Sequence, residues 1–326
     1  MTLRTALQAA IPGTSFTPGV DSRRDDTSGI AAAIEAAQAA DMIVLALGED
    51  YDWSGEARSR SDLTLPGRQL ELFHAIKRVG KPVVVVLMGG RPLAISEIAK
   101  EADAMLMTWL AGVEAGPAIV STLIGDTNPG GKLPATFPRR TGQVPFTYDY
   151  LPSGRPADPD LSKDTARYMD IPITPQYAFG HGLSYSDFSY GDMVLSKTVV
   201  PASGGNVEVT VPVTNSGTRA GDEVVQLYLR DPVASVSRPV MQLRGFARIS
   251  LEPGETKAVT FTLSARQFAF WGIDGGWIVE PGKIEFMIGS ASDDIRARAA
   301  VEVTGNATAD QSPASIRTPF RIEDAR

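Results

Sequence analysis

The 326-residue sequence contains no cysteine. That excludes disulfide bonds, thiolate nucleophiles and zinc sites built on thiolates. Histidine is nearly as scarce: His74 and His181 are the only two. No histidine and carboxylate residues cluster at metal-ligand spacing, so neither a metal nor another cofactor is expected. His74 falls on a helical stretch, and His181 falls in the turn FGHGLSY; both read as structural residues. No apolar run approaches the roughly 20 residues that a membrane helix needs, so no membrane association is expected. The opening MTLRTALQAAIPGTSF lacks the continuous apolar stretch of a signal peptide. Positive charge is in deficit, with 31 Lys and Arg against 38 Asp and Glu and a net charge of -7. No basic stripe offsets this, which argues against a nucleic-acid partner. There is no G-x-S-x-G elbow to carry a serine nucleophile. GDTNPGGKL at 125–133 fails as a phosphate loop, because Asp126 stands where the first glycine is required and Leu133 where Ser or Thr is required.

What is present is ordinary for a folded, multidomain chain: 43% hydrophobic and 21% charged residues, enough apolar material for two cores. The first part alternates helix and strand patterns. SGIAAAIEAAQAA at 28–40 has helical spacing and precedes the apolar run MIVLAL at 42–47. A second helix over 67–79, with Pro66 at its start and Gly80 past its end, precedes PVVVVLM at 82–88. Helices near 93–101 and 114–124 flank AMLMTWL at 104–110. Short continuous apolar strands alternating with helices predict a parallel sheet covered by helices.

From about residue 126 to 186 the sequence is rich in Pro, Gly, Asp and Tyr without a sustained period, and reads as a wrapping connection. Beyond about 190 the period becomes two, as in Val207, Val209, Val211 and Val213, in Val225, Leu227 and Leu229, in Val259, Phe261 and Leu263, and in Ile284, Phe286 and Ile288. Turn signals separate these runs (NSGT, EPGE, DGG, EPGK), the pattern of a β-sandwich. The expected class is α/β plus all-β. An α/β domain occupies 1–150, a wrapping linker 151–189, a β-sandwich 190–304 and a loose polar tail 305–326. Trp109, Trp271 and Trp277 read as core residues rather than sugar platforms.

The most charged loop of the first domain, GEDYDWSGEARSRSDLTLP at 48–66, follows the first buried strand. Ligands of open parallel sheets bind outside the carboxyl ends of the strands. The loop offers Glu49, Asp50, Asp52, Glu56 and Asp62, with Arg58 and Arg60 between them, and the flat face of Trp53 for a sugar ring. Glycosidic cleavage needs two carboxyl groups, one to protonate the leaving oxygen and one to attack or to activate water. The loop could supply the first; by composition alone the better reading is a solvated acidic loop with exchangeable Arg partners.

The run from Glu49 to Gln69, with its GE, SGEARSRSDLTLP and final Q, resembles the acid/base loop of family 3 glycoside hydrolases, the β-glucosidases and β-xylosidases. GKPVVVVLMGGRPLAI at 80–95, TWLAGVEAGPAIVSTLIGDTNPGGKLPATFP at 108–138 and YAFGHGLSYSDF at 177–188 are similar to other segments of that family. VPVTNSGTRAGDEVVQLYLRDPVASVSRPVMQLRGFARISLEPGETKAVTFTL at 211–263 resembles its fibronectin type III-like domain. The matches are collinear over about residues 15–290. The resemblance implies an α/β sandwich domain followed by a fibronectin type III-like domain, and retaining hydrolysis of terminal β-linked sugars. It makes Glu56 the general acid/base, with Glu49 the runner-up. It gives Arg60 a carboxylate or a sugar hydroxyl to bind, and leaves Trp53 a weaker sugar contact.

One part of the family pattern has no counterpart. The nucleophile there is an Asp on a (β/α)8 barrel preceding the α/β domain. A barrel takes about 250 residues, and the opening of this sequence already resembles the second domain. No Asp here is assigned as nucleophile. The expected partners are a β-glucoside or oligosaccharide and a barrel supplied as a separate domain or chain. Full-length relatives are expected in the periplasm or outside the cell. The alternative is a non-catalytic carbohydrate-binding or scaffold module made from the same domains.

Overall fold

Alternation of apolar strands with helices produces a parallel sheet at the start of the chain, as expected. The computed structural model describes residues 1–158, 163–310 and 317–325. Three strands, β1 (Ile43–Gly48), β2 (Val83–Met88) and β3 (Ala104–Trp109), pair in parallel in the order β1-β2-β3. Between and around them run α1 (Leu3–Ala10), α2 (Ile30–Ala39), α3 (Gln69–Lys77), α4 (Ser96–Glu101) and α5 (Ala115–Leu123). Helix α1 lies outside the expected elements. Its apolar positions Leu3, Ala6 and Leu7 recur at i, i+3 and i+4, and Thr2 caps it by accepting from the Thr5 amide. The helix packs through Ala6 and Leu7 against Val120 of α5, with Val44 of β1 alongside. On β2, Val83, Val85, Val86 and Leu87 are all at most 1% exposed, as a central parallel strand requires.

The second half carries β4 (Phe188–Tyr190), β5 (Val194–Leu195), β6 (Val199–Pro201), β7 (Asn206–Asn215), β8 (Gly221–Arg230), β9 (Gln242–Leu251) and β10 (Thr256–Ser264). It continues with β11 (Phe270–Trp271), β12 (Trp277–Val279), β13 (Gly282–Ala291), β14 (Asp294–Thr304), β15 (Thr308–Asp310) and β16 (Phe320–Asp324). One five-stranded sheet runs β16-β10-β7-β4 with β5 also on β7; another runs β6-β14-β13-β8-β9. A short third sheet is β11-β12-β15. The period-two residues are the core: Val207, Val209, Val211, Val213, Val225, Leu227, Val259, Phe261, Leu263, Phe286 and Ile288 are fully buried. Each such aliphatic side chain contributes about 1.5–3 kcal/mol by leaving water.

The chain divides into two units, one of Met1–Thr127, Phe137–Phe146 and Thr174–Tyr177, the other of Asn128–Thr136, Thr147–Ile173 and Ala178–Arg326. The aperiodic connection therefore serves both units in turn, rather than forming a separate linker over 151–189. Its irregular backbone is satisfied by local pairs. The Phe137 amide donates to the Tyr177 carbonyl in the first unit, and the Leu133 amide donates to the His181 carbonyl in the second.

Two expectations are corrected. The stretch 305–326 is not uniformly loose: β15 pairs with β12, and β16 pairs antiparallel with β10 from Phe261↔Phe320 to Lys257↔Asp324. An edge strand needs backbone partners more than apolar periodicity, so the polar sequence hides it. Parts of the expected linker and tail, at 159–162, 311–316 and position 326, lie outside the described residues. Trp271 is not a core residue but 61% exposed, standing at right angles to Trp277 with ring centroids 6.0 Å apart.

Within the second unit a buried carboxylate, Glu223, accepts from the Tyr190 hydroxyl at 2.8 Å and faces Lys132 Nζ at 3.2 Å. Burial, then the adjacent Glu223 charge, pushes the Tyr190 phenol far above its ordinary pKa. Tyr190→Phe leaves that carboxylate one donor short. It is expected to lower stability by about 1–3 kcal/mol in urea unfolding, and an unchanged midpoint would show that the bond contributes nothing.

Several carboxylates of this unit are held below the usual range. Asp222 is held there by Ser250 and then Arg248, and Asp294 chiefly by Arg296 and then Ser290. A folded pKa below the unfolded value of about 3.9 gives stability that is complete above that value and lost as pH falls through the folded one. The urea midpoint is therefore expected to hold from neutral pH to about 5 and to fall below about 4. A midpoint that rises on acidification would contradict these assignments.

Candidate active site

The charged loop begins where β1 ends. Gly48 adopts φ 136°, and a Cβ there would run into the Met88 carbonyl, so only glycine lets β1 and β2 approach this closely. Gln69 fastens the strand end from below. It accepts from the Gly48 amide at 2.7 Å and donates to the carbonyls of Gly48 and Pro66 at 2.8 and 2.9 Å. The next residue, Glu49, donates its amide to Met88 O at 2.9 Å and turns its side chain inward, where it is 0% exposed.

Buried Glu49 is clamped by two arginines. Arg60 Nη1 lies 2.8 Å from Oε1 and Arg91 Nε 3.1 Å from Oε2. Both cations also hold the loop backbone. Arg60 donates to Thr64 O at 3.0 Å; Arg91 donates to Trp53 O and, at 2.9 Å, to Arg58 O. The Arg60 guanidinium lies 4.9 Å from the Trp53 ring centroid, a cation–π contact. A buried carboxylate with two guanidiniums is thus the knot around which 49–64 folds. Further out, Arg23 pairs with Asp50 and Asp52, and Asp62 accepts from the Thr64 amide and hydroxyl at 3.0 and 2.8 Å. The backbone amide and then the hydroxyl of Thr64 hold the Asp62 carboxyl below its ordinary pKa.

Glu56 is placed differently. It sits at the loop tip between Gly55 at φ 130° and Ala57 at φ 58°. Two left-handed residues flanking one position form a sharp bend that projects it. Glu56 is exposed and makes no hydrogen bond or ion pair with the described residues. Of the four residues singled out in the sequence, the fold brings Glu49, Arg60 and Trp53 together and leaves Glu56 apart from them. Arg91, the second cation on Glu49, escapes sequence reasoning; its signal is the Gly-Arg turn directly after β2.

The loops after the other two strands complete the carboxyl edge of the sheet. A Cβ at Gly90 would press on Ser54 and come within 3.3 Å of Leu110 Cδ1, so loops following β1, β2 and β3 meet there. Ser54 Oγ is buried at this point without a hydrogen-bond partner among the described residues. Tyr51, Leu110 and Val113 stand 79%, 55% and 82% exposed on the same loops. No group of histidine and carboxylate residues among those described could hold a metal ion, and no described helix is long and apolar enough to cross a membrane.

The family model "Glycosyl hydrolase family 3 C-terminal domain" matches residues 1–185, and "Fibronectin type III-like domain" matches 223–292. The chain is 46% identical over 265 residues to a periplasmic beta-glucosidase of Salmonella typhimurium, covering 81% of this chain and 34% of that protein. It is 43% identical over 288 residues to a beta-xylosidase of Formosa agariphila, covering 86% and 38%. A crystal structure of a beta-glucosidase from Listeria innocua in complex with isofagomine superposes with a TM-score of 0.89 at 37% identity, covering 94% of this chain and 42% of that one. The chain belongs to glycoside hydrolase family 3, and it spans 34% and 38% of the lengths of those two curated relatives.

Proposed function

We propose that this chain is the acid/base-bearing part of a retaining, β-glucosidase-type hydrolase, with Glu56 as the general acid/base. The observation that supports the reading is the contrast between the two glutamates of one loop. Glu49 is sealed between Arg60 and Arg91, with no free oxygen to offer a substrate. Glu56 is exposed at its bend, with neither oxygen committed to any of the described residues. A group that must release a proton and then recover one needs that freedom.

In the proposed cycle the Glu56 carboxylic acid protonates the glycosidic oxygen as the bond to the sugar breaks. A carboxylate nucleophile from a (β/α)8 barrel meanwhile forms the glycosyl ester. The Glu56 carboxylate then takes a proton from water as that water attacks, releasing the sugar with retained configuration. The two carboxyls must stand about 5 Å apart, so the barrel must close over the loop tip and withdraw Glu56 from bulk water. The exposed Tyr51, Leu110 and Val113 offer apolar area to such a closure. Arg60 serves the loop through Glu49, and Trp53, under the Arg60 cation, remains a candidate sugar contact. Terminal β-linked glucose is the proposed substrate, and the periplasm the proposed compartment, by likeness to the Salmonella protein.

The test is to join this chain to the N-terminal remainder of the Salmonella relative and assay an aryl β-glucoside. Hydrolysis releasing β-glucose first, seen by proton NMR, with negligible activity from this chain alone, is the expected result. Brisk hydrolysis by this chain alone, or a folded fusion that is inert, would sink the proposal.

A further inference from the structure

In the β-sandwich unit, two buried guanidinium Nε–H groups, those of Arg238 and Arg244, have no hydrogen-bond partner among the described residues. Both side chains donate to one neutral acceptor, Gln242 Oε1, at 3.3 Å from Arg238 and 2.9 Å from Arg244. Arg238 has other company: Asp231 Oδ2 at 3.8 Å and the Phe270 ring at 4.3 Å from its centroid. Arg244 has no ion-pair partner among the described residues. Burial, and then repulsion from Arg238, pushes its pKa down, and no carboxylate acts against them. Residues 311–316, outside the described residues, read QSPASI and contain no carboxylate. A buried cation without an anion is costly, and native proteins rarely leave one so.

Arg244 also lines a cavity of about 840 Å³ between β9, β10 and the stretch 317–320. Leu243, Phe246, Pro319 and Phe320 give it apolar walls, and Asn206 and Thr262 add polar groups. We propose that this cavity binds a small monocarboxylate, whose anionic group pairs with Arg244 while its body lies against Phe246 and Phe320. Arg317 lines the same cavity, so its wall carries two guanidiniums, and no described carboxylate offsets Arg244. A guanidinium fork holds a carboxylate through two parallel hydrogen bonds.

The experiment is thermal melting of the purified chain titrated with sodium benzoate or sodium glucuronate, at ionic strength held constant with sodium chloride. Binding to the folded state alone raises Tm saturably. The expected result is a saturable rise with at least one of the two. Benzoate would mark a planar apolar acid as the ligand type, and glucuronate a sugar acid. Arg244→Met should abolish the rise, whereas Arg248→Gln, an exposed position on the same strand, should keep it. If Arg244→Met does not fold, Arg244→Lys keeps the charge without the fork and should weaken the apparent affinity at least tenfold. No rise beyond the chloride control, or the same rise in the Arg244 variant, overturns the proposal.

Discussion

Glu56→Gln is expected to lower kcat/KM of the barrel-bearing protein about 10²–10⁴-fold on substrates with poor leaving groups, such as disaccharides. The loss should shrink for nitrophenyl glycosides, because a good leaving group departs without needing a proton. Its second role, as base toward water, would still be missing, so the glycosyl-enzyme should accumulate. A small anionic nucleophile such as azide, which needs no deprotonation, should then restore turnover and yield a β-glycosyl azide. The stability of this chain by itself should not change, because in it Glu56 is exposed and bonded to none of the described residues. A uniform loss across all leaving groups with no azide rescue would move the acid/base role to another residue.

Glu49→Ala is expected to do the opposite: a large loss of stability. Its carboxylate is 0% exposed, and its partners Arg60 and Arg91 are 13% and 19% exposed. Removing it leaves two nearly buried cations facing a void, a change costing about 3–5 kcal/mol. Urea unfolding followed by far-UV circular dichroism reads this directly. Faster proteolysis within 51–64 should accompany it, since Arg60 and Arg91 also tie down the carbonyls of Thr64, Trp53 and Arg58. Glu49→Gln, which keeps shape and loses charge, should fall between wild type and alanine. An alanine variant as stable as wild type would mean that the clamp holds nothing.

The pair of variants separates two carboxylates that sequence alone treats nearly alike. Both lie in one acidic loop within seven positions of each other; the family resemblance ranks Glu56 above Glu49, but composition and spacing do not say which one is buried. What separates them is the close approach of the Met88 carbonyl to Gly48, which turns Glu49 inward, and the arrival of Arg91 from the end of another strand. Those contacts join residues some forty positions apart, so neither composition nor spacing could reveal them.

Elements with a strong period were legible. The apolar runs at 42–47, 82–88 and 104–110 become β1, β2 and β3, and the alternating valines of 207–213 become the fully buried face of β7. Each encodes its own burial, because periods of two and 3.6 are properties of the local backbone. The exposure of Trp271, the strands hidden in a polar tail, the division of the 126–186 stretch between two units and the unpaired guanidinium of Arg244 were not legible. A tryptophan is apolar wherever it stands, an edge strand asks only for a partner's backbone, and a missing counter-ion is a fact about neighbours. The sequence by itself determined which strongly periodic segments are helix or strand, the class of the two domains and the family. Tertiary structure alone decided which glutamate is locked and which is free, because burial and charge pairing depend on residues that meet only after the chain has folded.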